Sequence, residues 1–198
     1  MSHRSLLGPI ARLQLQPRSL KHEVDGKNVY DPSGLISVDH LMLTPTGAAH
    51  QDADGTRTLD VHNTQHPQSK HWGQNPFSVG FTSHYAAMTK RFGEHLTLGC
   101  AGEGIIIETT QSTPSDDMTG TLVIETRDGP VQLAHIIVAA PCAPFSTFAL
   151  GGATCTTADL KSALQFLNHG TRGYYCQLVG ATEAVVRLGD LVYLDSNV

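Results

Sequence analysis

The chain has 198 residues, 13 of them lysine or arginine against 18 aspartate or glutamate, for a formal charge of −5, with 40% apolar and 16% charged residues. That length and composition suit one globular domain over 1–198 and exclude a disordered chain. The acidic balance and 6% aromatic content argue against a nucleic-acid partner, and no apolar run is long enough for a membrane span.

The start of the chain lacks the sustained apolar core of a secretory signal. The cysteines, at 100, 142, 155 and 176, form no Cys-x-x-Cys pair. The expectation is a reduced, cytoplasmic protein. Alternation over 10–16 reads as a first strand. Gly26-Lys27-Asn28 and Asp31-Pro32-Ser33-Gly34 read as turns, and 35–43 as a strand ending at Thr44-Pro45-Thr46-Gly47. Residues 48–80 sustain no helical period and read as a long loop, with at most a short strand at 59–62. This stretch holds His50, His62, His66 and His71. His62 and His66 have a ligand spacing if helical, but Pro67 opposes a helix, and a solvated polar loop is the alternative.

Residues 82–93 read as a helix capped by Thr82, with Tyr85, Met88 and Phe92 on one face and Gly93 as its stop. Glu103, at the mouth of an apolar strand over 105–107, is either a functional carboxylate or an ordinary loop acid. Residues 109–120 read as a polar connector. Residues 121–126 and 131–140 read as a hairpin around Arg127-Asp128-Gly129-Pro130. His135 falls with Leu133 and Ile137 and reads as a core histidine. The apolar run 136–140 reads as a buried strand stopped by Pro141. That places Cys142 on a loop between two prolines, as a reactive thiol or as a small buried hydrophobe.

Residues 156–168 give the clearest helix, with a Thr156–Asp159 capping box and an apolar stripe of Leu160, Ala163, Leu164 and Leu167. Strands over 172–179, 183–188 and 191–194 complete the chain. The sum is a mostly β chain, a distorted β-barrel with two or three short helices, essentially at 83–92 and 157–168.

The landmarks in order resemble a known family. Arg91-Phe92-Gly93-Glu94-His95-Leu96 and Gly102-Glu103-Gly104-Ile105 are similar to its Phe-Gly-Glu-Asn-Leu segment, and Pro141-Cys142 to its cysteine loop. Arg172-Gly173-Tyr174 and Val186-Arg187-Leu188-Gly189-Asp190-Leu191-Val192 are similar to its closing strands. This is the MOSC domain, named for the C-terminal domain of molybdenum-cofactor sulfurase, and the resemblance spans roughly 34–194. It implies a barrel with the cysteine in a pocket, and sulfur-carrier chemistry or ligation of molybdenum in a pterin cofactor by Cys142. The activity class implied is a molybdenum-dependent oxidoreductase or a sulfur transferase, with a redox or sulfur-donor protein as partner. Gly104 departs from the family's asparagine, and the His-rich stretch fits only loosely. No nucleotide or pyridoxal-phosphate lysine motif is visible.

The residue types agree with this chemistry. A thiolate is both nucleophile and soft metal ligand, and a permanent cation such as Arg172 lowers its pKa. Arg172 can also hold an anionic group bidentately. A histidine from His62 and His66 can move a proton, with Asp60 or Glu103 orienting it or binding ligand edges. Two other classes compete: a non-catalytic binding module for a small ligand or protein, and a histidine-based metal protein with a structural cysteine.

Overall fold

A computed structural model describes residues 2–70, 75–110, 118–152 and 155–197. The longest strand, β1 (Ser2–Leu15), is followed by the hairpin β2 (Lys21–Val24) and β3 (Lys27–Tyr30). Next come β4 (Ile36–Val38), β5 (His40–Thr44), β6 (Gly47–Gln51), β7 (Arg57–Leu59) and β8 (Phe77–Phe81). Helix α1 (Thr82–Phe92) crosses to β9 (Ile105–Ile107), which pairs parallel with β8. The hairpin β10 (Thr121–Thr126) and β11 (Gly129–Val138) leads to α2 (Ala143–Ala149) and α3 (Thr157–Leu167). Strands β12 (Tyr174–Val179), β13 (Ala184–Arg187) and β14 (Leu191–Asn197) finish the chain.

Seven strands close into a barrel in the order β14-β10-β11-β12-β8-β9-β1, with β1 returning to β14. Closure removes the unpaired edges that an open sheet would leave. Across this seam Arg4 donates to both oxygens of Asp195, at 2.7 and 2.8 Å, and to Glu125 at 3.1 Å. A four-stranded sheet, β13-β5-β6-β7, packs on the barrel.

Two apolar clusters result. Leu13, Leu43, Val79, Phe81, Leu133, Tyr174 and Val192 belong to the main one. The second joins the three helices to the β2–β3 hairpin through Leu20, Tyr30, Tyr85, Met88, Phe145 and Leu167. Tyr30 meets Phe145 edge-on at 5.1 Å between centroids, which seats α2 on the hairpin.

Several local expectations change. Residues 48–80 are not one long loop, because β6, β7 and β8 fall within them; His71 lies outside the described residues. The expected connector 109–120 is described only in part. Thr82 does not cap α1. Phe81 occupies that position, and the Thr82 hydroxyl instead exchanges hydrogen bonds with the Thr109 backbone, at 3.0 and 2.9 Å. His135 is exposed rather than core: the register slips between Ala134 and Ile137, His135 takes φ 55°, and the inward and outward faces exchange. Ile137 is accordingly 50% exposed. Cys142 sits, as expected, in a short loop after β11 and between two prolines; its extended backbone is the N-cap of α2, with Pro144 in the helix's first turn, where proline is well tolerated.

Candidate functional site

A cavity of about 570 Å³ opens between the β2–β3 hairpin, the segment after β7, and the starts of α2 and β12. Its charged wall is cationic. Lys21, Lys70 and Arg172 line it with His62 beside them, and no carboxylate does among the described residues. Tyr30, Tyr175, Asn28, Ser78 and Gln16 add hydrogen-bonding groups. In a chain of net charge −5, this lining gathers positive charge in one place.

Arg172 is held by the turn that ends α3. Its N–H donates to the Leu167 carbonyl at 3.0 Å, and its guanidinium lies over the Phe145 ring at 4.9 Å. It reaches Glu103 at 3.5 Å, across a gap longer than a tight ion pair. Glu103 is only 1% exposed. Burial raises its carboxyl pKa, while Arg172 and the Tyr85 hydroxyl, which donates to it, oppose the rise. Burial works against the Arg172 charge, but Glu103 and the surrounding tyrosines more than offset this, so its pKa stands above the ordinary value. Gly173 makes the approach achievable: it takes φ +98°, and a Cβ there would lie 2.6 Å from the Val79 carbonyl oxygen and 3.1 Å from Glu103 Cγ.

Asp60 is an anchor. One carboxylate oxygen accepts from the Gln16 N–H at 2.8 Å. The other accepts from the His62 N–H at 2.9 Å and faces His62 Nδ1 at 2.7 Å. With Nδ1 donating, a neutral His62 carries its lone pair on Nε2, and the ring lines the cavity. His66 is tied differently. Its Nε2 meets the Pro17 carbonyl at 3.1 Å and its Nδ1 accepts from the Gln68 N–H at 3.1 Å, so both nitrogens brace the loop. It is not among the residues lining the cavity.

The four cysteines differ in setting. Cys100 and Cys176 are buried, and burial pushes each thiol up to about 12, with Glu103 adding to the effect at Cys100. Cys142 and Cys155 are partly exposed. Cys142 packs against the cluster of Leu20 and Tyr30, two residues of the cavity wall, and Pro144 just beyond it also lines the cavity. One helical turn on, Ser146 Oγ is buried without a hydrogen-bond partner among the described residues.

The structure therefore brings His62, Arg172 and Pro144 around one space, with Asp60 and Glu103 directly behind the wall; Cys142 itself is not among the lining residues and packs against the Leu20–Tyr30 side of that wall. Sequence reasoning missed Lys21, Lys70, Tyr30 and the second role of Tyr85. Tyr85 reads as an apolar helix-face residue, yet its hydroxyl donates to Glu103 and accepts from the Ala101 N–H at 3.2 Å. It also missed Gln14, whose amide donates to the carbonyls of Gly99 and Glu103, both at 2.8 Å, tying the Glu103 segment to β1. At Gly104 the nearest atom to an added Cβ would be 3.5 Å away, so space does not demand a glycine there.

With this geometry in hand, the solved structures are informative. The chain shares its fold with YuaD and YiiM. The YuaD protein of Bacillus subtilis aligns over 100% of both chains, with a TM-score of 0.58 and 12% identity. YiiM of Geobacillus stearothermophilus aligns over 98% of this chain and 76% of its own, with a TM-score of 0.51 and 14% identity. YiiM of Escherichia coli aligns over 82% and 66%, with a TM-score of 0.50 and 16% identity. No protein-family model and no curated protein matches the sequence.

Proposed function

We propose that the protein binds a phosphorylated, pterin-type molybdenum cofactor in this cavity, with the Cys142 thiolate as the protein's ligand to the metal. The observation that carries the reading is the cavity's purely cationic charged lining, with the partly exposed Cys142 packed against the Leu20–Tyr30 cluster of its wall. The fold likeness supports it, since YuaD and YiiM are MOSC-domain proteins. The residues also fit the group. Lys21, Lys70 and Arg172 suit a phosphate, a thiolate suits a soft heavy metal, and Ser146 leaves a buried hydroxyl unsatisfied near Cys142.

Such a cofactor, when bound, supplies two-electron redox chemistry at its metal. The chain's own parts would do the rest. Arg172, kept in place by Glu103 and the Phe145 ring, holds the anionic end. Asp60 fixes the orientation of the His62 ring at the cavity wall. The hairpin and α2 are held together beside Cys142 by the packing of Tyr30 against Phe145.

Partial exposure of Cys142 favours one second reading, a sulfur carrier that holds a persulfide on this residue. The two readings separate by extraction. Protein produced in a host that makes the cofactor should release a fluorescent phosphorylated pterin on acid oxidation, and a Lys21→Ala/Arg172→Ala double variant should release at least about tenfold less. Absence of pterin, with one extra sulfur atom in the intact mass, would replace the first reading by the second.

A further inference from the structure

The β5–β6 sheet carries a second constellation that shares no lining residue with the cavity. Asp39 and His40 enter β5 and His50 lies near the end of β6; each offers a ligand atom, and these atoms all lie within 4.8 Å of one another. The two imidazole rings approach to 4.5 Å between centroids. We propose that Asp39, His40 and His50, backed by Asp52, bind a divalent transition metal of the zinc class.

The hydrogen bonds argue for a cation. His50 Nδ1 lies 3.0 Å from the His40 carbonyl oxygen, an acceptor, so it must donate. This is the outer hydrogen bond by which metal-binding histidines fix their tautomer. In the neutral ring the lone pair is then on Nε2, and Nε2 faces Asp52 Oδ1 at 3.1 Å. Two acceptors meet there, and only a proton or a metal ion reconciles them. Asp39 is 81% exposed, and its Oδ1 lies 2.7 Å from His40 Nδ1.

The neighbouring charges leave room for the ion. Arg187 and Arg127 border a hollow of about 300 Å³ with Asp39 and His40. Both arginines are turned to Asp128, at 2.9 and 3.8 Å, which balances one of their two charges, and Asp39 and Asp52 add two negative charges at the site itself. Imidazole and carboxylate donors suit zinc, nickel or copper better than calcium or magnesium. A tetrahedral zinc site needs ligand atoms about 3.3 Å apart, from bonds of about 2.0 Å, with water in the fourth position.

The test is titration of the chelator-stripped full chain with Zn²⁺ by calorimetry, and with Co²⁺ by visible absorption. One metal per chain is expected, with the intense visible bands of four-coordinate cobalt. His40→Ala and His50→Ala should each weaken binding at least about tenfold. Asp39→Asn, on an exposed side chain that cannot upset folding, should weaken it too, while Cys142→Ala should leave it unchanged. That last control separates this site from the cavity, whose molybdenum could fail without affecting zinc. No zinc heat in the wild-type chain, or equal binding by the wild type and all three ligand variants, would overturn the proposal.

Discussion

Glu103 is a carboxylate sealed behind the cavity wall, and its protonation ties stability to pH. Its folded pKa is raised, mainly by burial, above the ordinary value of 4.5. The native state therefore keeps this proton to higher pH than the unfolded chain does. Below 4.5 both states are protonated and Glu103 contributes no pH dependence; as pH rises through the interval up to the raised pKa, its contribution to stability falls. Urea midpoints of the wild type and Glu103→Gln, compared between pH 4 and 8, should converge on different offsets at the two ends, the wild type losing ground as pH rises. A pH-independent difference would contradict the assignment. Thiol reactivity follows from burial in the same way. Native alkylation mapped by peptide mass should label Cys142 and Cys155 and spare Cys100 and Cys176, whose thiols stand at about 12, until the chain unfolds. Labelling of Cys100 first would mean that the second core cluster is open. Cys142, His62 and Arg172 were legible as site candidates because their types carry chemistry wherever they fall. Lys21 and Lys70 were not, since only the folded hairpin and loop turn two ordinary surface lysines toward one space.

At the level of elements, the sequence speaks clearly where a local interaction closes on itself. The Thr156–Asp159 capping box forms as expected, with the Thr156 hydroxyl accepting from the Asp159 N–H at 3.1 Å. Thr156→Ala should cost about 1 kcal/mol in chemical denaturation and leave the cavity untouched. Helix α2 escaped because it has seven residues and a proline in it, yet Phe145, Phe148 and Ala149 fall at helical spacing and Gly151-Gly152 follow. The bulge at Ala134–Ile137 escaped for another reason: one slipped residue reverses alternation, and no local residue type marks it. The turn into β12 is the element on which the site depends most. Gly173→Ala would place a Cβ against Val79 and Glu103 in a left-handed backbone, and should destabilise by about 2 kcal/mol or more. A denaturant midpoint equal to that of the wild type would show that Glu103 and Arg172 are less tightly packed than described.

At the scale of the whole molecule, short strands with few helices were enough to expect a barrel, because closing a β-sheet is the economical way to bury such strands. Which strands close it was not legible, since β1 joins β14 across nearly the whole chain and such pairing leaves no local trace. Half of the second sheet was likewise hidden: β6 and β7 fall in a stretch that reads as loop, whereas β5 and β13 read as strands. The barrel wall, the β2–β3 hairpin and α2 together enclose a space lined by cations, and Cys142 packs against the Leu20–Tyr30 cluster that forms part of its wall. The most direct test is the molybdenum-to-protein ratio of the wild type and Cys142→Ala, purified from a host that makes the cofactor and measured by elemental mass spectrometry. The account predicts molybdenum in near-stoichiometric amount in the wild type and its loss in Cys142→Ala with the fold intact by circular dichroism. A wild-type protein without molybdenum, or equal molybdenum in both, would contradict it.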